Sequence, residues 1–257
     1  MEKKVTLVLG SGGARGLAHI GVIKVLEENG IKPQRVIGSS MGALVGALYA
    51  DGRTAAELEE IVLNTSLMSF FEIKFYEGHL LDGEKIKRFL SKHLKAKNFE
   101  ELKIPLTVTS LDVNTGRRLR ISKGPIAEGV IPSISLPGLL KPYKKGDSYL
   151  IDAGIINPLP INLTKKGRLV IGVNVAPELK SVDENSTLVE TVLKAVYTVQ
   201  DIHSGKRRPR KDRDVVIIKP SLGSRRILDF RNQKQIIKAG EVAAREKIGE
   251  ILALLQK

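Results

Sequence analysis

Residues 38–42 read Gly38-Ser39-Ser40-Met41-Gly42, a Gly-x-Ser-x-Gly pentapeptide. An apolar run, Arg35-Val36-Ile37, precedes it, and a small-residue stretch, Ala43-Leu44-Val45-Gly46-Ala47-Leu48, follows. Between a strand and a helix this motif forms a nucleophile elbow, a turn so tight that its central residue sits in strained backbone. Glycines two positions to either side avoid a clash, and the hydroxyl stands up at the end of the sheet. Ser40 is then the candidate nucleophile, framed by Gly38 and Gly42. The motif alone leaves a second reading open, a tight βα turn with no chemistry.

A serine nucleophile needs donors for the oxyanion it creates and a base for its proton. The segment Gly10-Ser11-Gly12-Gly13-Ala14-Arg15-Gly16 follows the apolar run Val5–Leu9 and enters a helical pattern. Such a turn exposes backbone N–H groups at the positive end of a helix dipole, to grip a phosphate or an acyl-transfer oxyanion. A dinucleotide fingerprint would place glycines differently and end the next strand in an acid; here that strand ends in Gly38-Ser39-Ser40. No Gly-Lys-Ser/Thr closes the turn, so a Walker-type loop fails as well. Glycines serving only helix packing remain the alternative. Sequential strands tend to be neighbours, which would set this loop beside Ser40.

For the base, Asp152 ends the strand-like Tyr149-Leu150-Ile151 and enters the turn Asp152-Ala153-Gly154. An acid at one strand end can face another strand end; the competing role is a turn-forming aspartate. Histidine offers a rival mechanism, because Ser40, Asp152 and His203 follow the chain order of a lipase-type triad. His203, however, precedes Lys206-Arg207-Arg208-Pro209-Arg210-Lys211, which reads as a solvated loop. His19 falls on an apolar helix face with Val22, Ile23 and Leu26 and reads as a core residue, while His79 and His93 have no partner pattern.

These residues need a scaffold of strand ends. The pattern predicts strands at 5–9, 35–38, 105–112, 117–122, 148–152, 168–175 and 214–219. Helices are predicted at 17–29, 41–51, 54–63, 83–94, 186–203 and 232–256. Strands spaced by helices imply an α/β fold, a three-layer α/β/α sandwich around a mostly parallel sheet. The 257 residues, 42% hydrophobic, suffice for a single domain over 1–257.

Composition narrows the chemistry. The absence of cysteine removes disulfides, thiolate catalysis and zinc-thiolate sites. Only four histidines, widely spread, argue against a histidine metal cluster, so no metal and no cofactor is expected. No apolar stretch reaches the ~18 residues of a membrane span. The run after Met1-Glu2-Lys3-Lys4 is too short and glycine-broken for a signal peptide, so a cytoplasmic, unsecreted protein is expected. A net charge of +14 favours anionic partners. Tryptophan is absent and aromatics are 4%, poor material for base stacking, so specific nucleic acid is not expected. A peripheral anionic membrane surface is the expected partner. The patterns leave oligomeric state open.

Together the three segments resemble the patatin-like phospholipase family, over nearly the whole chain. The flanks Leu136-Pro137-Gly138, Asn157-Pro158-Leu159-Pro160 and Asp229-Phe230 are similar too. The resemblance implies a Ser–Asp dyad without histidine. Ser40 would attack an acyl ester of a phospholipid or lysophospholipid, and Asp152 would take its proton. Backbone N–H groups of Gly12, Gly13 and Ala14 would hold the oxyanion, and Arg15 would order the loop or meet a phosphate. Two departures stand out: Ser11 and Ala153 occupy positions where the family usually has glycine. Should position 153 need positive φ, alanine there costs about 1 kcal/mol. A non-catalytic pseudoenzyme docking on membrane or nucleic acid through its basic face is the alternative from another class.

Four aromatic residues, Phe70, Phe71, Phe75 and Tyr76, cluster after the elbow region. They suit a flap over an acyl pocket, a patch entering lipid, or ordinary core. Ester hydrolysis by His203→Ala, assayed beside Asp152→Ala, separates dyad from triad. The dyad predicts near-wild-type turnover for the histidine variant, whereas a loss equal to that of Asp152→Ala overturns it.

Overall fold

The computed structural model describes residues 3–71, 83–177 and 214–257, with scattered positions between 184 and 198. The centre is a parallel sheet of β1 (Val5–Leu9), β2 (Arg35–Gly38), β3 (Leu106–Asp112), β7 (Leu169–Val173) and β8 (Asp214–Ile218), ordered β3-β2-β1-β7-β8. Three strands run antiparallel beyond it: β4 (Arg118–Ile121), β5 (Tyr143–Lys145) and β6 (Ser148–Asp152). The helices are α1 (Ala18–Glu28), α2 (Met41–Ala50), α3 (Ala55–Leu63), α4 (Glu84–His93), α5 (Ile126–Ile134) and α6 (Gln233–Leu255).

Every residue of β1, β3 and β7 is buried, as expected of parallel strands with both faces covered. The main core packs Leu7, Leu9, Val108 and Ile171 of one sheet face against Ile20, Leu44, Ile131 and Ile237 of the helices. On the other face Val8, Ile37 and Val170 lie under Leu159, Ile161 and Leu163.

The register of β3 decides the arrangement that matters for chemistry. Val108 pairs with both Gly38 of β2 and Ile121 of β4, while Ser110 pairs with both Leu119 of β4 and Asp152 of β6. A strand has two hydrogen-bonding edges, so β4 holds one and β2 and β6 share the other, end to end. β2 runs parallel to β3 and β6 antiparallel, so their C-terminal ends point at one another. Gly38 stops opposite Val108 and Asp152 stops opposite Ser110.

Two elements were not expected from the sequence. The α5 segment contains Gly129 and Pro132, which disguise its helical spacing, and β5 is a three-residue strand of Tyr143-Lys144-Lys145. His203, His79, the basic run 206–213, Phe75 and Tyr76 lie outside the described residues, as does most of the helix expected at 186–203. Among the described residues no helix is long and apolar enough to cross a membrane.

Helices α1 and α6 meet backbone to backbone. A methyl on Gly21 would collide with the Ile237 carbonyl and stand 2.6 Å from the Glu241 nitrogen. Gly21→Ala is therefore expected to destabilise the fold by about 1–3 kcal/mol, the usual cost of overpacking. Urea unfolding with an unchanged slope and a lowered midpoint checks it.

Candidate active site

Ser40 has φ 55° and ψ −125°, a region nearly closed to side-chain-bearing residues. Such a conformation costs about 1–3 kcal/mol and persists only where its surroundings over-determine it. The glycines make the turn sterically possible. A methyl on Gly38 would lie 2.5 Å from the Gly42 carbonyl oxygen, and one on Gly42 would strike the Leu9 carbonyl. Beyond the turn α2 starts at once, its N-terminus aimed at the Ser40 side chain's neighbourhood and favouring negative charge there.

Facing it, Asp152 is buried, with 2% of its surface exposed. Its Oδ1 accepts the Gly154 N–H at 2.7 Å, and the carboxylate lines one narrow cavity with Ser40. Burial lifts its pKa to about 7; the Ser40 hydroxyl and the Gly154 N–H pull the other way and lose. Ala153 begins a 3-10 turn and has no positive φ, so the strain foreseen for alanine at this position does not arise. The other departure is accommodated next door. A side chain on Gly154 would run into the Ser11 hydroxyl and stand 2.9 Å from Oδ1 of Asp152, so Ser11 occupies space that Gly154 leaves.

The glycine loop presents two amides rather than three. Ser11 donates its N–H to the Pro158 carbonyl at 2.7 Å, and Ala14 donates to the Ile227 carbonyl, also at 2.7 Å. This corrects the expectation for Ala14: its amide is spent on holding the loop, leaving those of Gly12 and Gly13 between the two anchors. Gly13 has φ 55°, which glycine adopts without strain. Arg15 is buried, and its guanidinium donates to the carbonyls of Val175 (2.8 Å), Gly223 (3.1 Å), Arg225 (3.2 Å) and Ala176 (3.4 Å). Of the two roles foreseen for Arg15, that geometry matches loop ordering and not a phosphate contact.

His19 is also part of this support. Its Nε2 lies 2.8 Å from the Gly10 carbonyl, and burial lowers its pKa to about 4, so the ring is neutral and donates to that oxygen. His93 packs on Phe89 with ring centres 4.7 Å apart, in α4. Sequence reasoning missed Ser133, whose hydroxyl accepts the Ser40 N–H at 3.1 Å. The signal lay in apolar residues 126, 130, 131 and 134, whose helical spacing Gly129 and Pro132 obscured.

Above Ser40 and Asp152 the cavity is narrow, about 30 Å³, with Gly12, Gly13, Ile227 and Leu228 in its walls. That is room for a water, not an acyl chain. Ile227 and Leu228 also line a second cavity of about 530 Å³, together with Leu67, Met68 and Phe230, and with Arg226 and Arg231 among its polar residues. Leu67 and Phe70 are buried, the latter edge-on to Phe89, so the described part of the aromatic cluster is core, with Met68 42% exposed beside it.

A mostly parallel α/β sheet carrying a strained serine turn, opposed by a strand-end carboxylate and a glycine loop, defines the class. The model of the patatin-like phospholipase family matches residues 7–165, and the chain belongs to that family. An uncharacterized NTE family protein of Mycobacterium bovis is 35% identical over 160 residues, 62% of this chain and 44% of its own. Patatin-like phospholipase domain-containing protein 6 of Homo sapiens is 31% identical over 185 residues, 68% of this chain and 13% of its own. The chain thus spans less than half the length of these curated relatives. Two solved structures share the fold: VipD from Legionella pneumophila (TM-score 0.62, 12% identity, 97% of this chain and 67% of that one) and the type III effector ExoU (TM-score 0.52, 13% identity, 97% and 53%).

The strain at position 40 is testable apart from any activity. Ser40→Gly should be more stable than Ser40→Ala by about 1 kcal/mol, because only glycine meets φ 55° without strain. Paired thermal and urea unfolding of the two variants reads the difference, and equal stabilities would contradict the strained geometry.

Proposed function

We propose that the chain is a serine acyl hydrolase acting on phospholipid or lysophospholipid esters through a Ser40–Asp152 dyad. The observation that carries this reading is the β3 register that ends β2 and β6 against one another, setting Ser40 in one narrow cavity with a buried carboxylate whose pKa stands near the working range of a base. Membership of the family supports lipid hydrolysis in general. In the first step Oγ of Ser40 attacks the ester carbonyl while its proton passes to Asp152. The Gly12 and Gly13 amides and the α2 N-terminus stabilise the resulting oxyanion. Collapse expels the alcohol, which takes the proton back from Asp152. Water then adds to the acyl-enzyme with Asp152 again as base, releasing the fatty acid and restoring the serine.

The acyl chain lies, on this reading, in the groove of about 530 Å³ that adjoins the narrow cavity at Ile227 and Leu228. Both volume and apolar lining fall in the ordinary range for such ligands. The net charge of +14 fits docking on an anionic membrane surface.

Three measurements test the proposal. Ser40→Ala and Asp152→Ala should lower kcat by roughly 10³-fold or more on a panel of acyl esters graded by chain length. Equal residual rates in wild type and Ser40→Ala would instead mark a non-catalytic binding module. Only ionised Asp152 accepts the proton, so kcat/KM should fall as pH drops through about 7 and level off above it. A profile flat from pH 5 to 9, roughly two units either side, would remove Asp152 as base. Binding to anionic vesicles should weaken as salt rises; salt-insensitive binding would refute electrostatic docking.

A further inference from the structure

The Ser40 amide belongs to neither of the elements it joins. Ser39 makes the last sheet-side bond, to the Leu9 carbonyl at 3.1 Å. Gly42 and Ala43 then begin the next set, donating to the Ser39 carbonyl at 2.9 Å and the Ser40 carbonyl at 2.8 Å. The N–H of Ser40 is left between them, and the Ser133 hydroxyl accepts it at 3.1 Å. Ser133 is fully buried near the C-terminus of α5. Two residues on, the Ser135 carbonyl accepts the N–H of Asp152 at 3.0 Å. The end of α5 and the residue that caps it therefore hold the main chain of both reacting residues.

We propose that the end of α5 sets the gap between the Ser40 hydroxyl and the Asp152 carboxylate, with Ser133 as a positioning residue for acyl transfer. The inference rests on Ser40 as nucleophile. Gly38 and Gly42 permit the elbow, but permission is not restraint. The bond to Ser133 fixes the peptide plane entering Ser40 and, through it, the direction of the Cα–Cβ bond. Remove that acceptor and a buried N–H has no partner, so the peptide turns toward another one. The hydroxyl then swings off its line to Asp152 and the glycine loop, and a misplacement of about 1 Å costs on the order of 10²-fold in rate. Ser133 does not line the groove assigned to the acyl chain, so the loss falls on kcat and spares KM.

The test uses the full chain, a fluorophosphonate probe and a soluble acyl ester. In labelling, Oγ of Ser40 bonds to phosphorus, fluoride leaves, and the serine proton passes to Asp152. Ser133→Ala is expected to slow labelling and kcat by about 10–100-fold with KM within about twofold. Ser133→Thr, which keeps the hydroxyl, should recover both rates to within about threefold. Should the alanine variant not fold, Ser133→Cys keeps the volume with a weaker acceptor and is read the same way. Wild-type rates in Ser133→Ala, or a threonine variant as slow as alanine, would overturn the positioning role while leaving the nucleophile in place. A wild-type chain that takes no label at Ser40 overturns the nucleophile assignment, and this inference with it.

Discussion

Hydrogen-bonding capacity along one edge of β3 is the constraint on which the rest of the site depends. Each residue of that edge pairs with a single partner, and two strands approach it from opposite directions. β2 ends opposite Val108 and β6 ends opposite Ser110, so only the width of Thr109 separates them. Neither strand can continue without displacing the other. Each chain must leave the sheet at that point, β2 through the strained turn at Ser40 and β6 through the 3-10 turn at Ala153. Side chains at the two exits face one another because the exits do. A serine and an aspartate more than a hundred positions apart in sequence thus meet through backbone register, without a long side chain to bridge them.

The same geometry explains how a carboxylate can stand in for an imidazole in the proposed reaction. An exposed aspartate is a poor base for a serine because its proton affinity is too low. At this exit Asp152 is 2% exposed, and desolvation outweighs the Ser40 hydroxyl and the Gly154 N–H, which favour its charge, lifting its pKa to about 7. The Gly154 turn still does something a histidine triad assigns to its third member: it orients the base. The Gly154 N–H fixes Oδ1 at 2.7 Å, leaving the carboxylate to meet the serine in a defined direction. Burial supplies basicity and the turn supplies orientation.

What was legible in the sequence follows the same physics. The elbow and the glycine loop could be read because their backbones restrict residue type: Gly42 has no room for a side chain against the Leu9 carbonyl, and Gly13 has φ 55°. The parallel strands could be read because burial on both faces leaves near-continuous apolar runs, as in Val5–Leu9, where only Thr6 is polar. Elements decided by tertiary pairing were not legible. β5 is three residues long, with both lysines exposed, and exists because β6 offers it an edge. α5 carries a proline and a glycine within nine residues. The choice among the loop amides was hidden for a related reason. Which amides are engaged depends on the carbonyls of Pro158 and Ile227, which arrive from distant segments and take those of Ser11 and Ala14.

That last dependence joins loop, cavity and groove into one mechanical unit. Ile227 contributes its carbonyl to the Ala14 amide and is part of the wall between the narrow cavity over Ser40 and the larger groove. Two residues before it, the Arg225 carbonyl accepts from the buried Arg15 guanidinium, which also ties in Gly223 and Val175. The segment around 223–228 therefore pins the glycine loop from outside while lining the apolar space beside it. Its two functions use different atoms. Main-chain carbonyls hold the loop, so residue type at these positions is free to follow the needs of the groove. Such a division leaves the side chains to shape the groove while the main chain fixes the glycine loop. Arg15 is the exception, because its guanidinium and not its backbone carries the tie, and no other side chain offers a rigid planar fork to several carbonyls at once.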